Sequence, residues 1–158
     1  MLTWRDEAAC ASTAADLARR ASLHEAFIEL HGALGAGKTT FVRHLLHALG
    51  VEGRIKSPTY TVLEPYATPA GASISHFDFY RFEDPQEFED AGVRDVFAAA
   101  GLKLAEWPEQ AESLLPIADL AIRIEPLPTE ARSVRIEAHT ALGLALLSRS
   151  AVDAASGP

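Results

Sequence analysis

The segment Gly32-Ala33-Leu34-Gly35-Ala36-Gly37-Lys38-Thr39 restricts what this chain can fold into more than any other stretch of it. A glycine, four residues and then Gly-Lys-Thr works only as a tight turn between a buried strand and the first turn of a helix. Glycines let backbone N–H groups turn inward where a Cβ would clash, and a helix N-terminus carries positive partial charge. Such a turn is a cradle for a multiply charged phosphate. The flanking residues predict both elements. Ala26-Phe27-Ile28-Glu29-Leu30-His31 is a short, largely apolar run without a breaker, which reads as a strand. Val42, Leu45, Leu46 and Leu49 recur at helical spacing, with Gly50 as a C-terminal stop.

The motif's chemistry distributes roles. Gly35, Ala36 and Gly37 offer backbone to the phosphates, Lys38 is expected to reach the β- and γ-phosphates, and Thr40 the α-phosphate. The Thr39 hydroxyl is expected to hold Mg²⁺, and the bound pair is then a nucleotide with magnesium, ATP or ADP if the chain is an ATPase. Magnesium takes further oxygen ligands, commonly a carboxylate at a strand end. Two acids fit that place. Glu106 follows Leu102-Lys103-Leu104-Ala105, and Asp78 follows Ile74-Ser75-His76-Phe77 beside Tyr80 and Arg81. Glu106 is assigned to magnesium, Asp78 to orienting water or sensing the γ-phosphate, and the exchanged assignment stays open. Lys38 and Asp78 are thereby the candidate catalytic residues.

The remaining pattern predicts an α/β fold: a single P-loop NTPase domain with a central mixed sheet flanked by helices. A helix is expected over 6–22, where Cys10, Ala14, Leu17, Ala18 and Ala21 share a face. Strands over 60–65 and 72–79 form a hairpin around Pro69-Ala70-Gly71. Asp84-Pro85-Gln86-Glu87 starts a short helix with its own cap, and 93–100 continues as helix until Gly101. Strands follow at 102–106, 119–125 and 133–138. With 158 residues the chain suits one domain that removes about two-thirds of its unfolded surface from water. The domain is placed at 1–149, and the small, polar tail 150–158 is expected to be disordered.

Charge and composition exclude some partners. A net charge of −8 opposes unaided binding to a nucleic-acid backbone, whose contacts require Lys and Arg, and suits a basic protein or a magnesium–nucleotide better. The single cysteine, Cys10, forms no internal disulfide. No apolar run approaches the roughly 20 residues of a membrane span, and Met-Leu-Thr-Trp-Arg-Asp-Glu lacks the plan of a signal peptide, so a cytoplasmic location without membrane contact is expected. His44 and His47 share a helix face, but no third metal ligand is placed by sequence, and a solvated face is the simpler account. Five acids between Glu83 and Asp90 suit either a basic docking partner or a solvated helix.

Four motifs in order carry a resemblance. Gly-Ala-Gly-Lys-Thr-Thr at 35–40, Lys-Ser-Pro-Thr-Tyr-Thr at 56–61, His-Phe-Asp-Phe-Tyr-Arg at 76–81 and Glu-Trp-Pro at 106–108 are arranged as in the bacterial tRNA threonylcarbamoyladenosine biosynthesis ATPases, the TsaE or YjeE family. The likeness runs from about Thr13 to Arg135. It implies a weak ATPase, stimulated by partners, that supports threonylcarbamoylation of tRNAs reading codons that begin with A. The implied partners are TsaD and TsaB, with tRNA met only through that complex, and the ATP cycle resets the complex between turnovers. The family's pattern gives Thr39 and Glu106 to Mg²⁺, Asp78 to hydrolysis, and Trp107 to the nucleotide or the partner contact, with a core tryptophan as the plain alternative. It makes Ser57, Pro58, Thr59 and Tyr60 a switch segment beside Tyr80 and Arg81, with a simple turn as the plain alternative for 57–60, and it suggests Thr13 and Arg132 as adenine-side contacts. This chain has Ala33 where the family commonly carries an acid. A kinase would need an acceptor pocket and a basic lid, and a GTPase an Asn-Lys-x-Asp motif, which does not occur. A nucleotide-sensing module, in which hydrolysis is incidental, stays open at this point.

Overall fold

The computed structural model describes residues 1–55 and 62–148. The expected switch segment Ser57-Pro58-Thr59-Tyr60 and the tail 150–158 lie outside the described residues.

Seven strands form one sheet: β1 (Leu2–Trp4), β2 (Phe27–His31), β3 (Leu63–Ala67), β4 (Ser73–Asp78), β5 (Leu102–Glu106), β6 (Leu120–Pro126) and β7 (Arg132–Ala138), in the spatial order β1-β7-β6-β2-β5-β4-β3. The central four, β6-β2-β5-β4, are parallel, and antiparallel pairings add β3 at one edge and β7 and β1 at the other. The helices are α1 (Glu7–Ala18), α2 (Lys38–Ala48), α3 (Pro85–Asp90), α4 (Val93–Ala98) and α5 (Ala141–Leu147), with 3₁₀ segments at Ala21–Glu25 and Pro108–Leu114. This is the mixed α/β architecture that the sequence predicts.

Both faces of the sheet are covered, which is why β2 and β5 carry apolar residues on both faces, Phe27 and Ile28 on one strand and Leu104 and Ala105 on the other. On one face Ile28, Leu30, Ile74, Leu102, Leu104, Leu120 and Ile122 pack with Ala14 and Leu17 of α1 and Phe41, Val42, Leu45 and Leu46 of α2. On the other, Phe27, Phe77 and Ala105 pack with Phe79, Phe82, Phe88 and Val93. The period of two along each strand therefore decides which core a residue joins. Phe27 goes to one cluster and Ile28 to the other.

Several boundaries follow tertiary partners rather than local signals. The expected 6–22 helix stops at Ala18 and tightens into a 3₁₀ turn from Ala21. β1 has three residues and no periodicity to reveal it; its pairing partner β7 lies about 130 positions away in the chain. β3 contains Pro65, tolerated because β3 is an edge strand whose outer N–H groups owe no ladder bond. α5 starts at Thr140, whose hydroxyl accepts the Gly143 N–H at 3.1 Å and donates to Asp119 at 2.6 Å. Asp119 also accepts the Phe27 N–H at 2.7 Å, so one carboxylate ties α5 to the start of β2.

Cys10 sits in the α1 side of the core at 4% exposure. Burial, reinforced by Glu7, pushes its thiol up from 9.0 to about 11. As pH climbs from 9 to 11 the unfolded chain loses this proton while the folded chain keeps it, so folding stability falls with pH in that window. Urea unfolding of Cys10→Ala across pH 8–11 is expected to remove that part of the decline, about 2–3 kcal/mol by its upper end.

Candidate functional site

The loop between β2 and α2 emerges at the carboxyl ends of the parallel strands, the place where open α/β sheets present their ligands. Chain order makes the crevice. β5 pairs with one side of β2 and β6 with the other, so the connections diverge above β2 and leave space over the loop. Gly32 starts the turn so close to β6 that a Cβ there would meet the Ile124 carbonyl oxygen at 2.6 Å. Gly37 precedes α2 at φ 114°, a conformation that L side chains rarely adopt. Among the described residues, side chains cap α1, α3 and α5 at Asp6, Asp84 and Thr140, whereas α2 and α4 start at Gly37 and Gly92 without a side-chain cap. The first turn of α2, Lys38 to Thr40, lines the cavity over the loop, and no described side chain caps it.

That cavity has a volume of about 1250 Å³ and is lined by residues 34–40, Val62, Leu63, Asp78, Tyr80, Arg81, Glu87, Asp90, Glu106 and Trp107, among others. Lys38 is 5% exposed. Its Nζ donates to the carbonyls of Gly32 and Ala33, the latter at 3.2 Å, and stands 3.9 Å from the centre of the Trp107 ring. Burial pulls this ammonium below its ordinary 10.5, against the opposing influence of Glu106, Glu109 and Asp78. A desolvated ammonium held by weak carbonyl acceptors gains most from a stronger anion placed beside it.

β4 and β5 end in register, with Asp78 opposite Glu106, and so deliver both strand-end acids to the loop. Glu106 is 2% exposed and accepts the Thr39 hydroxyl at 2.8 Å on Oε1 and 3.1 Å on Oε2. Asp78 accepts the Tyr80 N–H at 2.9 Å. A hydroxyl and a carboxylate touching beside a backbone cradle form a hard oxygen donor set of the kind magnesium takes. Among the described residues no group of three or more His, Cys, Asp or Glu side chains could hold a metal. His44 instead bonds Glu7 and His47 the Gly53 carbonyl.

Trp107 follows Glu106 in the left-handed region, φ 55° and ψ 46°, a costly conformation for a tryptophan. Half-buried, it spans Lys38 and Tyr80, whose ring lies 4.9 Å away at 46°. Tyr80 and Arg81 are exposed at the cavity wall. Thr13 and Arg132 are not among the described residues lining the cavity. Thr13 accepts the Trp4 indole N–H at 2.9 Å and donates to the Ala9 carbonyl. Arg132 reaches the loop from behind, its Nε donating to the Ala36 carbonyl at 2.9 Å.

One participant has no assigned role in the sequence reading. His76, fully buried, places Nε2 2.6 Å from Glu106 Oε2. The signal that finds it is the period of two in β4, which puts 74, 76 and 78 on one face.

The family described as "Threonylcarbamoyl adenosine biosynthesis protein TsaE" matches residues 4–134. The chain is 44% identical over 121 residues to the tRNA threonylcarbamoyladenosine biosynthesis protein TsaE of Haemophilus influenzae, covering 77% of this chain and 75% of that one. The protein of that name from Bacillus subtilis is 36% identical over 111 residues, with 70% and 68% coverage. A crystal structure of Bacillus subtilis YdiB superposes with a TM-score of 0.70 at 26% identity, covering 92% of this chain and 90% of that one. Sequence and fold agree, and the chain belongs to the TsaE family of threonylcarbamoyl adenosine biosynthesis proteins.

Proposed function

We propose that this protein is the magnesium-dependent ATPase of tRNA threonylcarbamoyladenosine formation, acting in the cytoplasm on a complex of TsaD and TsaB to support its turnover. The observation that carries the reading is the meeting of Thr39 and Glu106 at 2.8 Å beside a helix start that no described side chain caps and a cavity of about 1250 Å³. Residues 35–40 would cradle the phosphates through backbone N–H groups, and Lys38 would exchange its loop carbonyls for a phosphate oxygen. Thr39 and Glu106 would hold magnesium, which would supply charge neutralisation for the phosphates. Asp78, in register with Glu106 and next to the cavity, would orient the attacking water.

Trp107 and Tyr80 form an aromatic wall that a partner could move, and its strained backbone supports a switching role together with Ser57, Pro58, Thr59, Tyr60 and Arg81. Thr13 and Arg132 would contact the adenine side, and Arg132 already touches the loop at Ala36. A net charge of −8 favours reaching tRNA through partners over binding it directly.

The test is ATP turnover with and without purified TsaD and TsaB, for wild type and Asp78→Ala. Partners are expected to raise wild-type turnover, and Asp78→Ala to lose about 10²-fold or more while still binding ATP. Unchanged turnover on adding both partners would overturn the functional account and leave the fold assignment intact.

A further inference from the structure

We propose that His76 is a positioning residue that sets the Glu106 carboxylate for Thr39 and magnesium, an inference that rests on the magnesium-dependent reading above. His76 lies on β4 opposite Leu104 of β5, while Glu106 lies two residues further along β5, opposite Asp78. The imidazole therefore reaches the carboxylate diagonally across one face of the sheet. Its side chain is 0% exposed, with Ile74 and Leu104 of the same core on either side of it in strand and register. An apolar residue would fill such a place at lower cost, since a buried polar ring loses water.

What the ring gains is one contact. Nε2 is 2.6 Å from Glu106 Oε2, whereas Nδ1 is buried with no hydrogen-bond partner among the described residues. The pairing makes Nε2 the donor and the carboxylate the acceptor, so the ring takes the Nε2–H form. Oε2 is then held from the core side, while Thr39 Oγ1 meets the carboxylate from the loop side, 2.8 Å from Oε1 and 3.1 Å from Oε2. The sequence is a chain from core to loop: His76, Glu106, Thr39. It fixes the rotation of a carboxylate that would otherwise be free to turn away from the loop. Outer partners of this kind are worth about 10–100-fold in metal affinity.

Two variants of matched length separate donor from bulk. His76→Gln retains an N–H near the position of Nε2, and His76→Met removes it. Calorimetry of a non-hydrolysable ATP analogue in saturating Mg²⁺ and in EDTA reads the magnesium contribution apart from the phosphate loop. His76→Met is expected to lose about 10-fold of the affinity seen with Mg²⁺ and none of that in EDTA, with His76→Gln close to wild type in both. His76→Met matching wild type in Mg²⁺, or losing equally in both conditions, overturns the proposal. A wild-type protein that binds the analogue without any magnesium effect overturns the underlying reading instead, and this inference with it. Should His76→Met fail to fold, long-range ¹H–¹⁵N spectra of the wild type decide: a proton on Nε2 is expected, and its absence sinks the arrangement.

Discussion

Lys38→Met is expected to lower ATP turnover by about 10²–10³-fold, the usual consequence of removing a preorganised donor from a developing phosphate charge. Steady-state hydrolysis in the presence of the partner proteins measures it; a loss below about 10-fold would mean that the lysine is not aimed at the reacting phosphate. A second readout comes from the empty protein. Lys38 is buried against Trp107 and two loop carbonyls, and burial lowers its pKa from 10.5. Well below the lowered folded value both folded and unfolded chains carry the proton and the cost of burying the charge is fully present. As pH climbs through the lowered folded value towards 10.5, the folded chain gives up the proton first and stability rises. Lys38→Met should lack this rise. The comparison belongs in a Cys10→Ala background, because the Cys10 thiol works in the opposite direction over 9 to 11. Lys103, also lowered by burial, contributes equally with and without the substitution.

Glu106→Gln is the second large effect, again about 10²-fold or more in turnover, and for a separable reason. The amide keeps the size of the carboxylate and still bonds both neighbours: its oxygen accepts the His76 Nε2–H, and its –NH2 donates to the Thr39 hydroxyl oxygen. The fold should therefore survive, as should binding of an ATP analogue in EDTA. What disappears is the negative charge that a magnesium ion requires, so the gain in affinity on adding Mg²⁺ should collapse. Equal magnesium gains in wild type and Glu106→Gln would transfer the ligand role to Asp78. Glu106→Leu makes a useful contrast, because it strips partners from His76 Nε2 in a place with 0% exposure. It should cost about 1–3 kcal/mol in folding stability, which Glu106→Gln should not.

The two carboxylates illustrate how far local pattern reaches. A strand that ends in an acid is readable twice, at 78 and at 106, and chain order alone cannot say which acid approaches Thr39. Parallel pairing of β4 with β5 settles the approach: both acids arrive at the same level, and Glu106, on the strand adjacent to β2, reaches the hydroxyl. His76 shows the opposite limit. Its identity and its face on β4 are evident from the sequence, but its partner is 30 positions away on another strand. Arg132 is similar, since the side chain that grips the Ala36 carbonyl comes from β7, 96 positions later.

From sequence alone came the phosphate-loop pattern, the α/β class, the caps at Asp84 and Pro85, the hairpin of β3 and β4, and the family. All of these rest on short stretches of chain and on their order, and within each stretch backbone freedom, capping and periodicity act locally. The tertiary structure decided the strand order, the three-residue β1, the buried chain from His76 through Glu106 to Thr39, and the desolvation of Lys38 against Trp107. Those depend on which strands become neighbours and on how much water is excluded between them, quantities set by long-range packing that no local window contains.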